Sequence, residues 1–328
     1  MSPLGLITCD SLDTPHLDAL SLAVSNLLAT DLALATYAQL IDGLPISKVV
    51  RDTYTTQLNP QHPIDAHVAL CPGALDKAKE LRAGFKLKML RFSPSLLQAY
   101  QSAPIHSRAF DLRLIELAAV TLHQIGAWLF QLNLRMHDPA TTGNSDIETI
   151  TNWEPDDYPF HRIAPFPTLF NHINYRAFTQ YPDGLADAAG YWAENRVLGG
   201  VVSFDRSQSW TTDNEPNVWF QCSRKRITYR VCQLLDGQQE ALLGFLRKQD
   251  VSQDECPLPI LPNSKNRARM EPYDAIPVHK VYRDIWERPF PEELTPLQRK
   301  GRNRDVKNAL DYPEIEDRME QLRKLMRR

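Results

Sequence analysis

Apolar positions recur at helical spacing through most of the first half of the chain. Leu17, Leu20, Val24, Leu27, Leu28, Leu34, Ala38 and Ile41 fall near a 3.6-residue period after Thr14-Pro15, which offers an N-cap followed by proline in the first turn. The pattern predicts one helical stretch over about 17–41, stopped by Gly43 and Pro45. Shorter helices are predicted over 47–58 and 74–90, the second with a stripe of Leu75, Ala78, Leu81, Phe85 and Met89. The strongest signal runs from about Phe110 to Met136, where apolar residues leave almost no polar face, so this helix should lie at the centre of the fold. Its exceptions are Glu116, His123, Gln124 and Gln131. Polar side chains in such a helix are costly unless each finds a partner.

The pattern then changes. From Pro139 to Pro182 prolines punctuate a segment rich in aromatic residues, among them Trp153, Tyr158, Phe166, Phe170, Tyr175, Phe178 and Tyr181. A disordered linker would be poor in aromatics, so an ordered irregular segment over the core is expected. A helix over 185–196 precedes three predicted strands, 197–205, 217–223 and 227–234. The last two should form an antiparallel hairpin through Arg224-Lys225. An amphipathic helix over 238–249 closes the unit. Eight prolines between Pro257 and Pro296 exclude long regular elements and suggest an extended arm, and a last helix is expected over 315–326.

The fold class expected is α+β: a mainly helical N-terminal layer packed with a small antiparallel meander, then a proline-rich arm and a C-terminal helix. The corresponding units are a globular domain at 1–250, the arm at 251–298 and a basic tail at 299–328. No internal repeat is visible.

Composition narrows the class of protein. At 328 residues and 43% hydrophobic content the chain can bury a core without covalent staples. The net charge of −3 supplies no positive field for nucleic acid. The tail carries ten Lys or Arg against six Asp or Glu; its helix could bind nucleic acid, but docking on the acidic body or solvation is the preferred reading. Cys9, Cys71, Cys222, Cys232 and Cys256 are scattered and odd in number, with no C-x-x-C pair, which suggests neither disulfides nor a zinc knuckle and points to a reducing compartment. The apolar run Leu27–Leu40 is interrupted by Asp31 and Gln39 and has no basic region before it, so no secretory signal or membrane span is expected and the location read is cytoplasmic.

Sequence motifs for dinucleotides, nucleoside triphosphates, zinc proteases and serine hydrolases are absent, so no cofactor and no metal are expected. Asp156-Asp157 lacks the third carboxylate of a magnesium-diphosphate motif and is flanked by prolines. His123, His137, His161 and His172 show no recognised metal spacing. Glu116 and His123 stand seven residues apart on the central helix; Asp187, Tyr191 and Glu194 share one side of the next long helix. A carboxyl or imidazole beside apolar surface is suited to proton transfer, although salt bridges and structural hydrogen bonds account for the same spacing. The candidate catalytic groups are His172, Glu194 and His123, and the candidate substrate-binding residues are Gln124, Trp128, Tyr175, Tyr181 and Trp192.

Tyr181-Pro182-Asp183-Gly184-Leu185-Ala186-Asp187, Gly190-Tyr191-Trp192-Ala193-Glu194 and Gly199-Gly200-Val201-Val202-Ser203-Phe204-Asp205-Arg206, with Leu122-His123-Gln124-Ile125, resemble a group of filamentous-fungal proteins without an assigned chemistry. The resemblance covers roughly 110–247 and implies an association with fungal secondary metabolism, including terpenoid pathways that contain cofactor-free cyclases. It transfers no catalytic residue. The resulting expectation is a cofactor-independent cyclase acting on a hydrophobic polyene or terpenoid, such as a Diels–Alderase, with a small apolar molecule as its partner. The rival expectation is a non-enzymatic adaptor or regulatory protein that makes contact through the aromatic segment and the basic tail.

Overall fold

The computed structural model describes residues 5–53, 59–143, 145–154, 165–207, 217–249 and 256–289, with residues 311, 320 and 323–326 of the tail. Asp156-Asp157, His161 and most of the basic tail lie outside the described residues.

The predicted helix over 17–41 is two helices. α1 (Thr14–Ala29) and α2 (Asp31–Asp42) meet at a 73° bend. Thr30 makes the break, because its hydroxyl donates to the Leu27 carbonyl and accepts from the Ala33 amide, ending one helix and capping the next. α3 (Ser47–Arg51) is shorter than expected, and α4 (Ala74–Gly84) stops at Gly84 before a 3₁₀ turn, Leu87–Met89. α5 (Pro94–Ser102), which begins with proline at its first position, was not foreseen. The central helix α6 spans Arg108–Leu132, from the Ser107 cap to Asn133 in the left-handed region at φ 49°. Two single-turn helices, α7 (Pro139–Thr142) and α8 (Ile147–Thr151), sit in the otherwise irregular segment before α9 (Leu185–Leu198).

α6 and α9 form the core crossing. Fifteen residues of α6 and all but the first of α9 are buried. Small residues set their approach: a Cβ on Gly126 would stand 2.8 Å from the Ala193 Cβ. α1 and α2 pack beside this pair, and α10 (Asp236–Arg247) closes the far side, where Asn26 donates to the Phe245 and Lys248 carbonyls at its C-terminal end.

Gly199 turns the chain from α9 into the sheet at φ 105°, with the Ile260 carbonyl oxygen 2.1 Å from where a Cβ would be, so only glycine fits. The meander is antiparallel as expected: β1 (Val201–Asp205), β2 (Val218–Gln221) and β3 (Val231–Gln233) pair in register Val201 with Gln221 and Phe220 with Cys232. The β2–β3 connection runs from 222 to 230, longer than the predicted Arg224-Lys225 turn, because Arg224 is diverted to Asp52 and to the Arg196 carbonyl. The segment expected as an extended arm instead supplies both edges of the sheet. β4 (Arg269–Met270) pairs with β3, a short helix α11 (Pro272–Ala275) follows, and β5 (Val281–Tyr282) pairs with β1, giving the order β4-β3-β2-β1-β5.

The architecture is the α+β class expected, a helical layer against a five-stranded antiparallel sheet. No single helix among the described residues is long and apolar enough to cross a membrane.

Candidate functional site

α6 presents Arg113, Glu116, Val120, His123, Gln124, Ala127 and Trp128 along one face, at spacings of three, four and seven residues. That face walls a cavity of about 740 Å³. Phe85, Met89 and Leu96 cover its apolar part, while Asp183 and Asp187 from the start of α9, Arg206 after β1, and Arg283 after β5 form its polar part. A concave site with apolar walls and a few converging polar groups is the usual form of a small-molecule site.

At the polar wall His123 Nε2 stands 2.8 Å from Asp187 Oδ1, and Asp187 Oδ2 accepts the Asp183 amide at 2.8 Å. An ionised Asp187 selects the tautomer with its proton on Nε2. The other nitrogen, Nδ1, is buried without a hydrogen bond and faces Glu194 Oε2 at 3.9 Å. The ring edge packs on Tyr191, centroids 4.4 Å apart. Gly190 is what admits the imidazole: a Cβ there would stand 2.9 Å from its Cε1.

Glu194 is fully buried and receives both of its oxygens' contacts from Arg283 Nη1 at 2.8 Å, with the Val202 amide also donating at 2.8 Å. Burial raises its carboxyl above the usual glutamate range, opposed by Arg283 and His123. Arg283 in turn is fixed through its backbone: Glu287 accepts the amides of residues 283 and 284, both at 3.1 Å. At the other polar position Glu116 accepts from Arg113 at 2.7 Å and from Arg206.

The residues anticipated from the sequence divide into three groups. His123, Gln124 and Trp128 line the cavity. Gln124, however, has both ends of its amide on the Arg91 backbone and positions the chain before α5. Glu194 stands behind His123, and the Asp187–Glu194 spacing places both carboxylates on the one imidazole. The structure does not bring His172, Tyr175, Tyr181 or Trp192 to this cavity. His172 is a correction: it has no exposure, its Nε2 donates to the Gln221 carbonyl at 3.0 Å, its Nδ1 accepts the Asn174 amide at 3.2 Å, and burial lowers its pKa to about 3. It is a neutral structural group. Tyr175 accepts from Arg288 at 2.7 Å, Tyr181 donates to the Glu287 carbonyl at 2.8 Å, and Trp192 packs edge-on against Phe170 in the core. These three need no substrate to satisfy them.

Asp187 was singled out by its spacing, whereas Arg206 and Arg283 were not recognisable as site residues. Arg283 follows Val281-Tyr282 in the proline-rich segment, where only the sheet edge formed by β5 brings it to Glu194. The expectation of no metal site also meets a constellation with no recognised spacing: Asp42, His67, Cys71 and His137, all buried, converge where α2 and α6 end. Comparison with models of known families, with curated proteins and with solved structures gives no match.

Proposed function

We propose that the chain is an enzyme that takes a largely apolar, oxygen-bearing organic molecule into this cavity and isomerises or cyclises it by proton transfer at His123 and Asp187. The observation that carries this reading is the 2.8 Å His123–Asp187 contact at the wall of a cavity of about 740 Å³. The expected polyene or terpenoid cyclisation is one form of this chemistry.

Asp187 is the better placed group to touch substrate, because it lines the cavity while His123 Nδ1 is turned inward to Glu194. In this scheme Asp187 removes or returns the proton, and His123 orients its carboxylate by donating the Nε2 proton to Oδ1. Glu194, held by Arg283, closes the inner side of the imidazole at Nδ1. The apolar part of the cavity would hold the carbon skeleton folded with its reacting ends together, which removes entropy from the barrier. Arg113 and Arg206, beside Glu116, would direct the oxygen-bearing end to the polar part.

The test is incubation of purified protein with a small-molecule extract of its source cells, followed by mass spectrometry for a compound consumed and another of equal mass produced. An equal-mass conversion that Asp187→Asn abolishes supports the reading. A wild-type protein that converts nothing and retains no small molecule overturns it.

A further inference from the structure

Four potential metal ligands meet where α2 and α6 end. Asp42 is the last residue of α2, His67 follows the 3₁₀ turn Pro63–Ala66, Cys71 lies just before α4, and His137 follows α6. One ligand atom from each lies within 4.8 Å of all the others, and all four side chains are buried. His67 Nε2 is 2.9 Å from Asp42 Oδ2, and Cys71 Sγ is 3.3 Å from His137 Nδ1. A tetrahedral ion with bonds of about 2.0–2.3 Å separates its ligand atoms by about 3.3–3.7 Å, so the cluster has the size of one coordination shell.

The hydrogen bonding makes an ordinary polar cluster a poor account of the site. Asp42 Oδ2 and both ring nitrogens of His67 are buried without a hydrogen bond, although Nε2 and Oδ2 are close enough for one. Their directions do not suit a bond to each other. Native proteins pair nearly all such buried groups. The remaining contacts are those expected around a metal: His137 Nε2 is 3.0 Å from the Ser145 carbonyl, which places its proton there and directs the Nδ1 lone pair inward, and Asp42 Oδ1 receives the Cys71 amide at 3.4 Å.

We propose that Asp42, His67, Cys71 and His137 bind one divalent transition-metal ion of the zinc class. Two imidazoles, one thiolate and one carboxylate form a mixed N₂SO set, which suits zinc and excludes the all-oxygen cations calcium and magnesium. With four protein ligands and no part in the cavity wall, the site is closed and structural. Binding releases the Cys71 thiol proton to solvent, with no change of oxidation state. The ion ties the end of α2 to residues 67–71 and to the chain leaving α6. Backbone bonds already tie these segments, from the His137 amide to the Asp42 carbonyl and from the Ser47 amide to the His67 carbonyl, both at 2.8 Å.

The test uses the full chain produced with zinc supplied and purified without chelator. Elemental analysis should find about one zinc per chain. Exchange for cobalt(II) should give the thiolate-to-cobalt charge-transfer absorption and the intense visible bands of a tetrahedral site. Cys71→Ser should remove the charge-transfer band, His137→Ala should lower metal content at least about tenfold, and a chelator should lower the wild-type Tm. Wild-type protein holding less than about a tenth of an equivalent after both supplements, with a Tm indifferent to chelator, overturns the proposal. So does a bound ion that both variants retain in full. Neither result depends on the cavity or on activity.

Discussion

Gly190 and His123 face each other across the α6–α9 crossing so closely that a Cβ at position 190 would stand 2.7 Å from the His123 carbonyl oxygen and 3.0 Å from its Nδ1. The space occupied by the imidazole is thus the space left by a missing methyl group. Gly190→Ala must push the ring toward the cavity or spread the two helices. The expected cost is about 1–3 kcal/mol in chemical denaturation, with loss of the equal-mass conversion at temperatures where the protein remains folded. A variant as stable and active as wild type would show that the crossing is softer than this geometry implies.

Asp187→Asn keeps the shape and removes the charge. Turnover of the compound identified in the extract should fall by about 10² or more, while retention of that compound changes little, since the apolar wall contributed by Val120 and Trp128 is untouched. A parallel fall in retention and turnover would instead make Asp187 a binding group.

Separating the partners of the Glu194–Arg283 pair should be severe. Glu194→Gln or Arg283→Met alone leaves the other member buried without its charge partner, at an expected cost of about 3–5 kcal/mol in urea unfolding. The double variant should be less destabilised than the sum of the two. Additivity would mean that the pair does not act as a unit.

His172 gives a pH dependence whose sign is fixed. Its folded pKa is depressed to about 3, so the unfolded chain takes up a proton below about pH 6.5 that the folded chain refuses. The stability it contributes is complete above about pH 6.5 and is lost as pH falls, by about 1.4 kcal/mol per pH unit until about pH 3. His172→Gln should therefore lose less stability than wild type between pH 7 and pH 5. Parallel stability curves would place the acid sensitivity elsewhere.

What was legible in the sequence follows from the range over which each determinant acts. The central helix and its polar exceptions were visible because periodicity is local, and Glu116, His123, Gln124 and Gln131 do line the cavity. The Asp187–Glu194 spacing likewise anticipated two carboxylates on one side of α9, although their common partner His123 lies 64 residues before Asp187. Aromatic content misled where packing alone explains it. Tyr175 is satisfied by a buried arginine, Tyr181 by a backbone carbonyl, and Trp192 packs on Phe170. The bend at Thr30 was missed because a threonine that caps one helix and closes another leaves the apolar period undisturbed. Arg283 and the Asp42–His67–Cys71–His137 cluster were hidden for the same reason: apart from His67 and Cys71, which are four residues apart, their partners are separated by tens of residues, and only tertiary structure brings them together.

The position of Arg283 has a consequence for biosynthesis. Glu194 is placed by α9 and receives an amide from β1, yet its countercharge is encoded 89 residues later, beyond α10. A nascent chain that has emerged only through α10 contains the helices of the cavity and both members of the His123–Asp187 contact, but Glu194 has no guanidinium to meet. The ribosome must deliver almost the whole sheet before the charges around Glu194 are balanced, so this wall of the cavity cannot be completed ahead of the body that encloses it.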